Sequence, residues 1–546
     1  MKSKLMLGVA LFGLAGYSQA QELALPPKFE AKLIADNLGK TRHLFITPSN
    51  DIYVRLAKVE NGGGTLFLNQ ENGKAVEKQR FGTFSGTGVA IDNGYLYTTS
   101  NSEVYRYKLN GNYEVIDPAN PEKVVDGLVD QGTHATKSIV ADGKGNLFIP
   151  IGAPSNACQE KDRQKDSPGM PNCPLLEETG GVWKFRADQL NQTYADGQRY
   201  ATGLRNVVGS DLNPATGELF AMQHGRDQLS ALYPEYFTTK QSAELPAECL
   251  FELKEGANAG WPYIYYDGFQ QKNILAPEYG GDGVMEGPAE YIKPAVAFPA
   301  HMAPNDLLFY TGDMFPEKYK NGAFIAFHGS WNRAPEPQAG YFVVFQPFKN
   351  GKPSGDWEVF ADGFSGSQAN TESGRAERRP CGLAQGPDGA LYICDDTKGG
   401  IFKITYNPNG PANAPAKTGK MLTKEISSSK PKTPASIDAK AQNMGQLVYK
   451  QNCATCHQAD GLGVGNLNPP LANTDYVLGD DKRLIDVVLK GLSQKPVNGK
   501  EYSNVMPAFP YLSDKEVSEV LTYIRSSFGN QAKAISEKQV KNQRKK

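Results

Sequence analysis

Between residues 38 and 406 one unit recurs: a short apolar strand, a turn rich in Gly, Asp, Asn and Pro, then a strand of aromatic and β-branched residues. Six copies begin at Leu44 (LFITPSNDIYVRL), Gly88 (GVAIDNGYLYTTS), Ser138 (SIVADGKGNLFIPIG), Gly209 (GSDLNPATGELFAMQHG), Leu307 and Gly382 (GLAQGPDGALYICDD). A turn such as Pro387-Asp388-Gly389 offers preset φ, an Asx hydrogen bond and a residue that tolerates positive φ, so each copy predicts a β-hairpin. Such hairpins cannot bury their faces alone, and closing them into a ring removes exposed sheet edges; the pattern therefore predicts an all-β six-bladed β-propeller over 21–406. A pair of β-sandwiches is the alternative, but it leaves the repeat unexplained. Copy spacing lengthens from about 45 residues to more than 70. Insertions such as 228–304 are thus expected to gather at one end of the ring and build a site.

The pattern changes after residue 406. Residues 407–440 are rich in Pro, Ala, Ser and Lys without an apolar period, which predicts a flexible linker. Helical periodicity follows over 441–530: an apolar pattern from Met444 to Tyr449 predicts a short helix with Met444 in the core. EVSEVLTYIRSSF from Glu516 predicts an amphipathic helix started by Ser513-Asp514. The basic, polar segment 531–546 reads as a solvated, frayed tail. At the opposite end, MKSKLMLGVALFGLAGYSQA (1–20) has the charged start, short apolar run and small-residue cleavage site of a secretory signal peptide. No segment approaches the ~20 apolar residues of a membrane span. The expectation is an exported protein, periplasmic or secreted and not membrane-spanning.

Composition sharpens this picture modestly. The 26 Tyr, 25 Phe and 57 Gly suit short strands and tight turns, and a net charge of −1 argues against nucleic acid as a partner. Seven cysteines in an exported chain invite pairing. Cys158 and Cys173 bracket a polar loop without apolar periodicity, and a disulfide is expected there. Cys381 and Cys394 flank a hairpin and could face each other, leaving Cys249 free; a pairing of Cys249 with either is the alternative.

Cys453-Ala454-Thr455-Cys456-His457 carries the most specific chemistry. Two thiols one helical turn apart can add to haem vinyl groups, and the adjacent imidazole reaches the iron, so haem c is the expected cofactor. With the flanking helices, 441–530 resembles a small all-α monohaem class I cytochrome c. Met506, in NVMPAFPYLS before the last helix, is then the expected sixth ligand opposite His457.

A haem needs an electron source, yet the first 406 residues hold no GxGxxG after a strand. The stretches TGLRNVVGSDLNPATGELFAMQHGRD, HGSWNR and RRPCGLAQGPDGALYICDD resemble the glucose/sorbosone (pyranose dehydrogenase-like) dehydrogenases, six-bladed propellers that bind pyrroloquinoline quinone (PQQ) and calcium. The resemblance implies that His134 is the general base, with Thr133 where the family has an acidic residue. It implies that Arg205 stabilises charge on the quinone and that Asn206 lies against it. His224 stands where the family has an amide, and Gly225 and Arg226 would offer carbonyls to Ca²⁺. Arg333, and Arg378 or Arg379 with Arg379 preferred because it adjoins the Pro380 strand entry, would clamp PQQ carboxylates; Trp331 would stack on the ring, floor the substrate pocket or pack in the core. The implied activity is oxidation of a sugar or sugar-derived aldehyde or alcohol, with electrons leaving through the haem to an external acceptor: a soluble cytochrome, a copper protein or the respiratory chain. A calcium-dependent lactonase and a carbohydrate-binding propeller are the rival readings.

Overall fold

Each of the six repeats becomes the innermost hairpin of a separate sheet. In this computed structural model, which describes residues 23–130, 132–410, 444–465, 467–493, 495–502 and 504–545, six sheets of four or five strands form a six-bladed propeller. Their first strands are Thr41–Ile46, Val89–Asp92, Val140–Ala141, Val207–Leu212, Pro304–Phe309 and Pro380–Gln385, and neighbouring first strands adjoin around the ring. The turn at 386–390 forms as its residues predict: Gly389 has φ 81° and donates to Gly386 O at 2.9 Å, and Ala390 N donates to Asp388 Oδ1 at 3.1 Å. The expected signal peptide and residues 411–440 of the expected linker lie outside the described residues.

The ring is closed by a strand from the other end of the chain. Phe29–Ala35 pairs antiparallel with Ile401–Tyr406, Phe29 opposite Tyr406. Phe29 is buried with its ring edge-on to Phe315, Tyr319 and Phe360 at centroid distances of 4.8, 5.4 and 5.0 Å. Truncating such an anchor costs about 3–5 kcal/mol, because the rigid ring leaves a cavity behind.

Strand order places the site. Antiparallel pairing makes each first strand start, and each second strand end, at the same end of the ring. The long connections 152–180, 224–247 and 328–341, from three consecutive blades, therefore meet there with 362–379, which leads into Pro380. Part of the insertion after Leu253 buttresses them. Its hairpin Ile264–Asp267/Lys272–Leu275 buries Tyr265, Phe269 and Ile274 against Leu229, Leu232 and Phe237, while Ala257–Asn258 joins the preceding blade beside Ala201–Thr202.

Residues 444–545 form a separate helical unit. Val448 and Tyr449 of Met444–Asn452 pack on Val517, Val520, Leu521 and Ile524 of Asp514–Ser526, whose Ser513 and Glu516 complete a capping box. Two expectations need correction. Met444 is 46% exposed, since it starts its helix and the apolar face begins a turn later. Nor is 531–545 a frayed tail: Glu537–Arg544 is helical, Ile535 and Val540 are buried, Gln543 reaches Asp486 at 2.7 Å, and Arg544 pairs with Asp514 at 2.7 Å. Two apolar residues among many polar ones carry no period, and the partners of those polar groups lie far back in the chain. Among the described residues no helix is long and apolar enough to cross a membrane.

Cys158 and Cys173 are bonded, with Cα atoms 6.1 Å apart. Cys249, Cys381 and Cys394 are buried free thiols, so neither pairing expected for them forms. Cys381 sits at a bulge between Pro380 and Gly382, which puts Gly382 opposite Cys394; the Cys394 thiol donates instead to Arg42 O at 2.7 Å.

Candidate active site and haem centre

Asp227 is the hub of the loop-bearing end. It follows the strand Leu219–Gln223, and its Oδ2 accepts from Arg205 Nη2 and from Arg163 Nη2, both at 2.9 Å. Asn332 donates to its other oxygen, and Asn156 holds its backbone at both N (2.9 Å) and O (3.0 Å). Burial opposes its ionisation, but Arg205 and Arg163 hold the carboxyl well below the usual carboxylate range. A second buried carboxylate, Asp396, meets His328 Nε2 at 2.8 Å and Arg42 Nη1 at 3.6 Å.

His134 stands beside Arg205. Its Nδ1 lies 2.6 Å from the Ala153 carbonyl. A carbonyl only accepts, so Nδ1 carries the proton and Nε2 presents a lone pair. Burial, reinforced by Arg205, pushes the imidazole well below its ordinary pKa and keeps it neutral. Thr133 is exposed, so the Ala153 carbonyl supplies the orientation that an acidic neighbour would otherwise give. Gly152 keeps space open here: a Cβ on it would lie 2.7 Å from His134 Cβ and 2.8 Å from Asn206 Oδ1.

The uncommitted groups, one donor and one acceptor, suit a polar ligand that carries both an anionic oxygen and a hydrogen-bond donor. Arg205 Nε and Asn206 Oδ1 are buried with no hydrogen-bond partner, a cost that a ligand would relieve. Of the two arginines left open, Arg379 is half-buried, donates to Gly374 O at 2.9 Å and lies 5.0 Å over the Tyr341 ring; among the described residues no carboxylate pairs with it. Arg378 is committed to Asp36 through two bonds of 2.9 Å and to Asp395 at 2.7 Å. Arg333 is likewise consumed, by Glu244 at 2.6 Å and the carbonyls of Ala243, Ala300 and Pro337. Arg333 and Arg378 are therefore scaffold, not clamps, because their donors already face protein acceptors. Among the described residues the Arg42 guanidinium has only long contacts, 3.4 Å to Thr87 and 3.6 Å to Asp396, and it is the clamp candidate that sequence reasoning missed.

Calcium fits less well. The Gly225 carbonyl, one of its expected ligands, accepts from Arg205 Nη1 at 2.8 Å. A divalent ion there would share its oxygen with a guanidinium. Arg226 pairs with buried Glu278, and the expected amide position is filled by His224, whose Nε2 donates to Pro304 O at 3.0 Å. A guanidinium already uses one of the two carbonyls expected to face the ion.

The haem centre is ordered by the same logic. Nδ1 of buried His457 donates to Pro469 O at 2.9 Å, which fixes the tautomer and leaves Nε2 for iron. Cys453 and Cys456 are free thiols on one helical turn, and Cys453 and Met506 both pack against the same helical core. The Met506 strand position is held by reciprocal bonds to Leu492 at 2.9 and 3.0 Å. These residues fit a covalently attached haem with His/Met ligation.

The two centres share one end of the molecule. Cys456 lies within electrostatic reach of Arg163 and Asp227. Gln458, next to His457, donates to the Trp331 carbonyl at 2.7 Å and accepts from Gln338 at 3.0 Å. Trp331 thus meets the haem segment through its backbone. Arg163, Gln338 and Gln458 escaped sequence reasoning because each acts through partners more than sixty residues away, and Asp227, expected only as part of the calcium turn, proves to be the carboxylate hub.

Known proteins agree with this division. The chain matches the TrAA12-like family over residues 23–271 and 286–407, and cytochrome c over 442–528. It is 22% identical over 412 residues to the pyrroloquinoline quinone-dependent sugar dehydrogenase of Hypocrea jecorina, covering 69% of this chain and 87% of that protein. It is 41% identical over 92 residues to the cytochrome c subunit of the quinone alcohol dehydrogenase of Gluconobacter oxydans, covering 16% of this chain and 19% of that one. A solved structure of the Trichoderma reesei AA12 enzyme superposes with a TM-score of 0.58 at 21% identity over 71% of this chain and 98% of that one, which supports the ring fold. The chain spans from 19% to 87% of the length of its first curated relatives. PQQ and haem c are the cofactors implied by the two matched families, and the chain belongs to the TrAA12-like family of PQQ-dependent sugar dehydrogenases, oxidoreductases that here carry a cytochrome c domain.

Proposed function

We propose that this protein is an exported, periplasmic or secreted quinohaemoprotein that oxidises a sugar, or a sugar-derived aldehyde or alcohol, and passes the electrons through its own haem to an external acceptor. The observation that carries this reading is the shared location of His134, Arg205 and the haem box. Bound PQQ supplies the two-electron acceptor for substrate hydride, and haem c supplies a one-electron carrier.

His134 Nε2 takes the substrate hydroxyl proton, while the Ala153 carbonyl keeps Nδ1 protonated and the ring fixed. Arg205, pinned by Asp227 and Gly225 O, presents a preorganised positive charge towards oxygen that becomes electron-rich, in the manner of an oxyanion hole. Arg42 and Arg379 hold ligand carboxylates. Met506 with His457 gives the haem a high potential, suited to accept from a reduced organic cofactor. A lactone hydrolase or a sugar-binding propeller has no use for a haem on the face that carries the base.

Reconstitution tests the reading. Haem-loaded protein should show sugar-dependent haem reduction only after PQQ is added. Haem reduction by sugar without PQQ, or none with it across aldoses, sorbosone-type aldehydes and polyols, sinks the proposal.

A further inference from the structure

Among the contacts between the helical unit and the propeller is a buried pair of amides. Gln458 and Gln338 are 4% and 3% exposed, unusual for neutral amides at a boundary between two domains. Gln458 Nε2 donates to Trp331 O at 2.7 Å and Gln338 Nε2 donates to Gln458 Oε1 at 3.0 Å. Gln338 Oε1 in turn accepts from Ser330 Oγ at 2.8 Å and Arg333 N at 3.3 Å. Both amides are thereby used on both ends. Ala334, from the same propeller loop, is buried in the core of the cytochrome unit, and at the rim Arg375 pairs with Asp460 at 2.6 Å. Gln458 also holds φ 62° and ψ 164°, a backbone region that favours glycine, with its carbonyl accepting from Tyr449 Oη at 2.5 Å. A glutamine kept there, directly after His457, points to a side chain needed for its contacts.

We propose that residues 330–338 form a dedicated docking clamp for the haem segment, with Gln338 and Gln458 as positioning residues that hold the haem against the Arg163–Asp227–Arg205 cluster. The partner this surface fits is the chain's own cytochrome unit. The continuity is direct: Asn332, two residues from Ser330 and adjacent to Trp331, donates to Asp227. The clamp loop thus also holds the hub of the catalytic cluster, which comes from the neighbouring blade, and docking sets the distance over which electrons move. The inference rests on the proposed PQQ-to-haem reading for its kinetic consequence, and on geometry alone for the docking.

Gln458→Gly is the informative variant, because glycine accepts the φ of this position, so the fold is kept while the clamp is removed. Full-length protein loaded with haem and PQQ is compared by three readouts: sugar-driven haem reduction in a single turnover, sugar oxidation with a small-molecule dye that takes electrons at the propeller, and small-angle X-ray scattering without substrate. Losing two buried hydrogen bonds should slow haem reduction about tenfold or more. Dye-linked turnover should stay within about twofold, and the scattering should show a more extended particle. Arg375→Glu should slow haem reduction, and Arg375→Glu combined with Asp460→Arg should restore it. Unchanged haem reduction and scattering in Gln458→Gly overturn the clamp. Absence of dye-linked turnover in the unaltered protein sinks the PQQ reading instead, while scattering still decides the docking.

Discussion

Arg205 places Nη2 2.9 Å from Asp227 Oδ2 and Nη1 2.8 Å from the Gly225 carbonyl, so one guanidinium ties the hub carboxylate to the turn expected to bind calcium. Its direction is set from two sides, and its unpartnered Nε remains for a ligand. A charge held this rigidly needs no reorganisation when a neighbouring oxygen becomes anionic.

Asp227→Asn should therefore be costly. It leaves buried Arg205 without its anion, and half-buried Arg163 with only the more distant Asp162, a loss of about 3–5 kcal/mol in unfolding free energy measured by denaturant titration at neutral pH. The pH dependence has a definite sign. The folded carboxyl is held below its unfolded value of ~3.9, so its contribution is complete above that value and disappears as pH falls through the lower folded pKa. The stability difference between the unaltered protein and Asp227→Asn should shrink only in strong acid.

His134→Asn should lower dye-linked kcat by about 10²–10⁴ with haem content unchanged. In the unaltered protein, burial and then Arg205 depress the imidazole pKa, so the basic form persists as pH drops below the ordinary ~6.5. The pH profile of kcat/KM should stay flat through mildly acidic pH; a fall centred near 6.5 would show an ordinary, solvated histidine.

Met506→Ala should keep the haem covalently bound through Cys453 and Cys456 but remove the sulfur proposed as the sixth iron ligand. The expected result is a lower midpoint potential in spectroelectrochemical titration and a changed ligand-field spectrum. An unchanged potential would assign the sixth ligand elsewhere.

Val540→Ala, at a fully buried position of the last helix, should destabilise the cytochrome unit by about 2 kcal/mol in thermal unfolding. Lys541→Ala, one residue on and exposed, should change stability by no more than about 0.5 kcal/mol.

Local chemistry was legible in the sequence. The turn 386–390 folds as its Pro, Asp and Gly require, and all six repeats become inner hairpins, since a turn is decided within a few residues. Cys453, Cys456 and His457 are likewise set by spacing on one helical turn. Arg378 and Arg379 were barely separable, Arg379 being preferred only for its place beside Pro380, because adjacent residues of identical type differ in what faces them: Asp36, 342 positions away, claims the first, and the Tyr341 ring lies under the second. The last helix was illegible for the same reason, its polar side chains depending on Asp486 and Asp514.

The sequence by itself determined the repeat, the ring it closes into and the haem-attachment motif, which rest on periodicity, turn chemistry or short spacing, while the candidate base came from the family resemblance. Only the tertiary structure decided which arginines keep an uncommitted charge, that a guanidinium stands at the Gly225 carbonyl, and that Gln458 joins the haem segment to the propeller. Each of these depends on which distant groups fill a side chain's hydrogen bonds and charge, and that pairing exists only once the ring has closed.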